Sequence, residues 1–242
     1  MKVLITGFDS FGNETINPSN LAVNSLPDSI GDIIIKKVTI PTIFKKSSEV
    51  LEKYIAEFSP NIVICVGQAG GRDKITVERV AINIDDARIP DNDNNSPIDE
   101  KIRQDGENAY FSSLPIKAIV ETLVNNNIPA AISNTAGTFV CNHIMYESLY
   151  LANTKYTDIK TGFIHIPFIK EQIKDKPINI NKQGALGSMF SIGSEFKRGF
   201  KGIDQDIVDK CNKIITLTTK VNTYMDVLAG ASKSIAADIR KW

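Results

Sequence analysis

Residues 33–66 read IIIKKVTIPTIFKKSSEVLEKYIAEFSPNIVICV, and three patterns follow one another within them. Residues 33–40 are a β-branched run interrupted by two lysines, the composition of a strand. Over 44–58 the apolar residues Val50, Leu51, Tyr54, Ile55 and Phe58 recur at the three- and four-residue spacing of one helix face, and Pro60 stops the pattern. Residues 62–66 are then apolar throughout, as in a strand covered on both faces. Strand, helix and strand in this order form the crossover unit that joins parallel strands.

The same rhythm extends outward. Runs at 3–6, 130–133 and 162–167 read as further strands, and 116–124, 142–151 and 203–221 as helices. An α/β layered fold with a largely parallel sheet is expected. Residues 76–83 alternate instead, placing Thr76, Glu78, Val80 and Ile82 on one face of an antiparallel strand or hairpin arm. The Asp-, Asn- and Pro-rich stretch 85–103 reads as a long surface loop. At 178–202 five glycines are interleaved with Met189, Phe190, Phe196 and Phe200, which suits an insertion with apolar contacts. A small-residue-rich tail runs from about Val227. With 242 residues, the chain is read as a single domain carrying these two additions.

Composition narrows the function. Apolar residues make up 42% and charged residues 23%, as in soluble globular proteins. Lys plus Arg and Asp plus Glu are 28 each, so no excess of positive charge draws the chain to nucleic acid or an anionic membrane. The N-terminus has too short an apolar run for a secretory signal, and no segment approaches the roughly 20 apolar residues of a membrane span. A cytoplasmic location is expected. Cys65, Cys141 and Cys211 are odd in number and widely spaced, which predicts free thiols.

Several familiar motifs fail on inspection. Gly7 to Gly12 has the spacing of a phosphate-cradling loop, but Asn13 and Glu14 stand where lysine and Ser/Thr belong. Gly67-Gln68-Ala69-Gly70-Gly71 follows a strand without the dinucleotide pattern. Asp91-Asn92-Asp93-Asn94-Asn95 imitates a calcium loop, yet Ser96 replaces its glycine and Ile102 its closing glutamate. Two histidines and no paired cysteines give little support to a zinc site.

One constellation survives. Ser133-Asn134-Thr135-Ala136-Gly137-Thr138-Phe139-Val140-Cys141-Asn142-His143 runs from a strand through small turn residues into a helix, placing Cys141 near a helix N-terminus. Free N–H groups and the dipole there favour a thiolate and can hold an oxyanion; the alternative is an inert buried cysteine. His143, two residues on, is turned about 200° away on a helix, so His165, near the end of the 162–167 strand, is the better base. It is otherwise a core histidine bonded to backbone. Glu78 either orients the imidazole as the third member of a triad or pairs with a cation such as Arg79 or Arg88.

At this point the sequence resembles a known family. Thr6-Gly7-Phe8-Asp9-Ser10-Phe11-Gly12 with Asn17-Pro18-Ser19, then Gly67 to Arg72, Val77 to Asn83, Arg88 to Asn92, Ser133 to Tyr146 and Gly162 to Phe168, are similar to pyroglutamyl peptidase I, also called pyrrolidone carboxyl peptidase. The resemblance implies an α/β/α sandwich that removes N-terminal pyroglutamate from peptides without metal or cofactor, and a homo-oligomer, commonly a tetramer. It makes Cys141 the nucleophile, His165 the general base and acid, and Glu78 the orienting acid. Arg88 falls at the oxyanion position, beside the Cys141 N–H. Phe8, Phe11, Thr42, Gln68, Ile89, Phe139 and Val140 fall at pocket positions. Ser10 and Asn13 depart from the family's usual proline and glycine. Two competing readings are a non-catalytic pyroglutamyl-peptide binding protein and a nucleoside phosphorylase-like enzyme.

Overall fold

The unit at 33–66 folds as strand, helix and strand, and the strand after the helix runs two residues past its apolar core. The computed structural model describes residues 1–169 and Gln172. In chain order its elements are β1 (Lys2–Phe8), α1 (Pro18–Asn24), β2 (Ser29–Ile30), β3 (Ile33–Ile40), α2 (Lys46–Phe58), β4 (Ile62–Gln68), β5 (Ile75–Glu78), β6 (Val80–Ile82), β7 (Ala109–Phe111), α3 (Ile116–Asn125), β8 (Ala130–Ser133), α4 (Val140–Thr154) and β9 (Lys160–Ile166). The insertion at 178–202, the helix at 203–221, Cys211 and the tail from Val227 lie outside the described residues.

Local chemistry sets the element ends. α2 stops where Ser59 turns left-handed, with φ 50°, and donates its N–H to Ile55 O; Pro60 cannot extend it. α1 escaped the periodicity because seven residues are too few to show one, but its start is encoded: Asn17 accepts the Ser19 N–H and Pro18 opens the helix.

Seven strands form one sheet in the order β2-β3-β1-β4-β9-β5-β8, and β6 pairs with β7 separately. β3, β1, β4 and β9 are mutually parallel, and β8 is parallel to β5. β5 enters antiparallel to β9, and β2 antiparallel to β3.

Because successive strand side chains point to opposite faces, the strands sort their residues into two cores. Val3, Ile5, Ile62, Ile64, Val66, Ile75, Val77, Ile164 and Ile166 pack with Ala22 and Val23 of α1 and with Ile119 and Leu123 of α3. On the other face Leu4, Phe8, Val63, Cys65 and Phe163 pack with Leu51 and Ile55 of α2 and with Ile144 and Met145 of α4. Each fully buried Leu or Ile contributes about 1.5–3 kcal/mol by leaving water. The result is helix, sheet and helix in three layers. The same alternation carries Gly67, Glu78 and His165 onto the α2–α4 face.

Residues 76–83 correct the single-strand reading. Arg79 breaks the run, giving its N–H to Ser133 O and taking the Ser112 N–H. Beyond it the chain enters the small sheet, so Glu78 does not share a face with Val80 and Ile82. All four residues of β5 are buried, because β9 and β8 flank it. The 85–103 loop is tied at its ends by paired Asp85 and Glu100 backbones. Its calcium-like stretch folds on its own acid: Asp91 accepts the N–H groups of Phe44, Asp93 and Asn95.

Candidate active site

Cys141 is the second residue of α4, after Val140, with Phe139 in the capping position and no acid in the first turn. The N–H groups of Asn142 and His143 turn back to Phe139 O at 2.9 and 3.1 Å. Those of Val140 and Cys141 precede the first intrahelical bonds and lie at the positive end of the helix dipole. Asn142, itself buried, fixes this end: its amide donates to Ile82 O and Ile84 O and accepts the Ile82 N–H. Thr138 and Asp86 exchange backbone and hydroxyl bonds just ahead of it.

The helix start meets the sheet at Gly67. A Cβ built there would lie 3.0 Å from Cys141 Sγ and 2.6 Å from Phe163 Cζ, so glycine is what lets the sulfur settle on the strand. Gly67 is also the register partner of His165 on β9. On the other side of β9, Thr76 pairs with His165, which makes Glu78 its diagonal neighbour on one face. His165 Nδ1 and Glu78 Oε1 are 2.8 Å apart, both groups buried. An ionised Glu78 can only accept, so Nδ1 carries the hydrogen and Nε2 keeps its lone pair.

A third group completes the couple. Arg72 Nη1 lies 2.5 Å from Glu78 Oε1 and also bonds Thr76 Oγ1, while Nη2 donates to Thr135 O at 3.1 Å. The acid's cation is therefore Arg72. Arg79, one of the two expected from sequence, bonds Asn134 instead.

Burial alone would raise the Glu78 carboxyl, but His165, helped by Ser133 and Arg72, holds it below the usual range. Burial lowers His165, against the pull of Glu78 and with help from Arg72. Burial and then the Glu78 charge push the Cys141 thiol up to about 12, against Arg72; the residue nonetheless keeps some exposed surface. Burial thus disfavours charge on the thiol and the imidazole, while the partners of Glu78 favour its carboxylate.

The other histidine is occupied elsewhere. His143 Nε2 accepts the Lys45 N–H at 3.2 Å, which leaves Nδ1–H to donate to Asp85 Oδ2 at 2.8 Å. It ties α4 to the start of α2 and to the 85–103 loop.

Two aromatic clusters adjoin these elements. Phe8, Phe163 and His165 form one, with ring centroids at 6.3 and 4.8 Å. Phe11, Phe139 and Phe44 form the other, at 6.1 and 5.3 Å. Phe44 and Phe163 were not among the expected pocket residues, although Phe163 lies two positions before His165 on one strand face. Val140 is fully buried. Thr42 is buried with its hydroxyl on Asp9 Oδ1 at 2.7 Å. Gln68, expected at a pocket position, shares strand parity with Val66, so its side chain lies on the opposite face of the sheet from Cys141, where it accepts from Gln172. Arg88 and Ile89 stand exposed on the 85–103 loop.

A family model described as pyroglutamyl peptidase matches residues 1–189. The chain belongs to the pyroglutamyl peptidase family. It is 60% identical over 177 residues to the pyrrolidone-carboxylate peptidase of Clostridium perfringens (strain SM101 / Type A), covering 73% of this chain and 83% of that one. Over 176 residues it is 61% identical to that of Thermosipho africanus (strain TCF52B), covering 73% and 86%. A crystal structure of pyroglutamyl peptidase I from Bacillus amyloliquefaciens superposes with a TM-score of 0.72 at 44% identity, covering 90% of this chain and 96% of that chain. A mutant pyrrolidone carboxyl peptidase from P. furiosus gives 0.73 at 38% identity, covering 93% and 99%. The family and its solved structures fit the α/β architecture, and they do not favour the binding-protein or phosphorylase readings. No helix among the described residues is long and apolar enough to cross a membrane.

Proposed function

We propose that this protein is a pyroglutamyl peptidase that hydrolyses the amide bond after an N-terminal pyroglutamyl residue, with Cys141 as nucleophile, His165 as general base and acid, and Glu78 as the acid that orients it. The observation that carries the reading is the convergence of the Glu78–His165 couple and the first turn of α4 on Gly67.

The starting thiol is protonated, so attack and proton transfer are coupled. As Cys141 Sγ bonds to the carbonyl carbon, its proton passes to His165 Nε2. The N–H groups at the head of α4 receive the oxyanion, with Arg88 brought to it from its loop. Collapse breaks the C–N bond, and the imidazolium protonates the departing amine. Water then gives a proton to Nε2 and adds to the thioester; release of free pyroglutamate returns the proton to sulfur.

A lactam has no ammonium, so an apolar site suits it. Phe8, Phe11, Phe139 and Val140 supply the walls, with Thr42 and Ile89 at the margin. Turnover of a pyroglutamyl chromogenic amide, with and without a thiol alkylator, tests the reading. A kcat/KM for the glutaminyl amide equal to the pyroglutamyl value would overturn it, because burying an unpaired ammonium is costly. A homo-oligomer in the cytoplasm belongs to the same proposal, and its mass in solution is the check on assembly.

A further inference from the structure

Arg72 was given no role by the sequence, yet it reaches more of the site than any other cation among the described residues. It sits on the turn after β4, just past Gly71, which has φ 86°. From there it folds back over β5, touching Thr76 and Glu78 with one nitrogen and Thr135 O with another. Thr135 belongs to the turn that delivers the chain into α4 and Cys141.

We infer that Arg72 is a positioning residue of the reaction, fastening the acid and the turn ahead of the nucleophile to one another through a single guanidinium. The inference rests on the Cys141, His165 and Glu78 reading above. Its chemical consequence follows from geometry. Glu78 Oε1 is shared between Arg72 at 2.5 Å and His165 at 2.8 Å. A carboxylate oxygen divided between two donors stabilises an imidazolium less than one devoted to it. His165 therefore rests neutral, ready to take the thiol proton, and passes that proton on readily to the departing amine. The charged groups acting on His165 are Glu78 from β5 and Arg72 from the turn after β4, while its register partners, Gly67 on β4 and Thr76 on β5, carry no charge. Of these, Arg72 disfavours charge on the imidazole and Glu78 favours it.

The test is the pH profile of kcat/KM for a pyroglutamyl chromogenic amide with Arg72→Gln and Arg72→Lys. Arg72→Gln should move the acidic limb up by about one pH unit and lower kcat by ~10–100-fold through loosened positioning. Arg72→Lys should leave the limb in place and recover part of kcat. An unmoved limb in folded Arg72→Gln, or a limb moved as far by Arg72→Lys, overturns the inference. Should Arg72→Gln not fold, Arg72→Lys decides alone: the wild-type limb with a lowered kcat supports it, and unchanged kcat or a moved limb refutes it. Full activity in Cys141→Ser would instead sink the catalytic reading, whatever the Arg72 variants show.

Discussion

Gly67 and Cys141 meet through an atom that glycine does not have: a Cβ on Gly67 would stand 3.0 Å from the cysteine sulfur, inside ordinary van der Waals separation. The strand that pairs with His165 is thus also the surface on which the thiol rests. One missing methyl group sets how closely helix and sheet approach at the site.

Gly67→Ala should therefore cost activity out of proportion to stability. The new methyl meets Phe163 Cζ at 2.6 Å as well as the sulfur, and overpacking of this kind costs roughly 1–3 kcal/mol. A folded variant with kcat down ~100-fold is expected, since misplacing a reacting group by about 1 Å has that effect. Wild-type kcat in Gly67→Ala would contradict the contact.

The thiols should separate cleanly. Cys65 is fully buried, and burial, against a hydrogen bond with Thr6, pushes it up to about 12. Cys141 keeps exposed surface. Iodoacetamide should inactivate by labelling Cys141 and not Cys65, Cys65→Ala should still turn over, and Cys141→Ser should not. Peptide mapping by mass spectrometry identifies the labelled thiol, and inactivation with Cys141 unlabelled would refute the assignment.

The two histidines should fail in different ways. His165→Ala removes the base and should lower kcat by ~10²–10⁴ even in the folded variant, while Glu78 keeps Arg72 as a partner. His143→Ala strips Asp85 and the Lys45 N–H of their buried partner, which costs about 1–3 kcal/mol, so thermal stability should drop while most of kcat persists. Equal losses of kcat in both folded variants would show that the base has been misplaced.

Stability should fall on both sides of neutrality. His165 is lowered from 6.5 and Glu78 from 4.5, so in each case the unfolded chain takes up its proton first as pH falls. Unfolding is favoured progressively below 6.5, and again as pH drops through the folded Glu78 value. Cys65 and Cys141 are raised from 9.0 to about 12, so stability present below 9 is lost toward 12. Urea midpoints measured from pH 4 to 11 should trace this dome, with Cys65→Ala flattening the alkaline side. A midpoint constant from pH 9 to 11 would count against the buried thiols.

What could be read in advance was whatever follows from residue type and period. The 33–66 unit, the sheet strands with long apolar runs and the helix start at Cys141 are of this kind. The break at Arg79 was hidden because Val80 and Ile82 continue the alternation while the backbone leaves for another sheet. Arg72 was hidden because its reach to Glu78 depends on a turn folding back over β5, which no spacing encodes. Gln68 is a different case: counting by two from Val66 places its side chain on the face away from Gly67, so its orientation was available in the sequence. The exposure of Arg88 reflects a loop anchored at Asp85 and Asp91 on either side of it, a long-range arrangement with no local signature.

The diagonal placement of Glu78 and His165 also bears on heat inactivation. Both side chains hang from interior strands, β5 and β9, with β4 and β8 on the outer sides. Separating the couple requires parting these strands, and interior strands exchange their amide hydrogens only when the whole domain opens. On warming, enzyme activity and protection of the His165 and Val77 amides should then vanish in one cooperative step, with no earlier stage in which the Glu78–His165 couple melts inside an intact sheet.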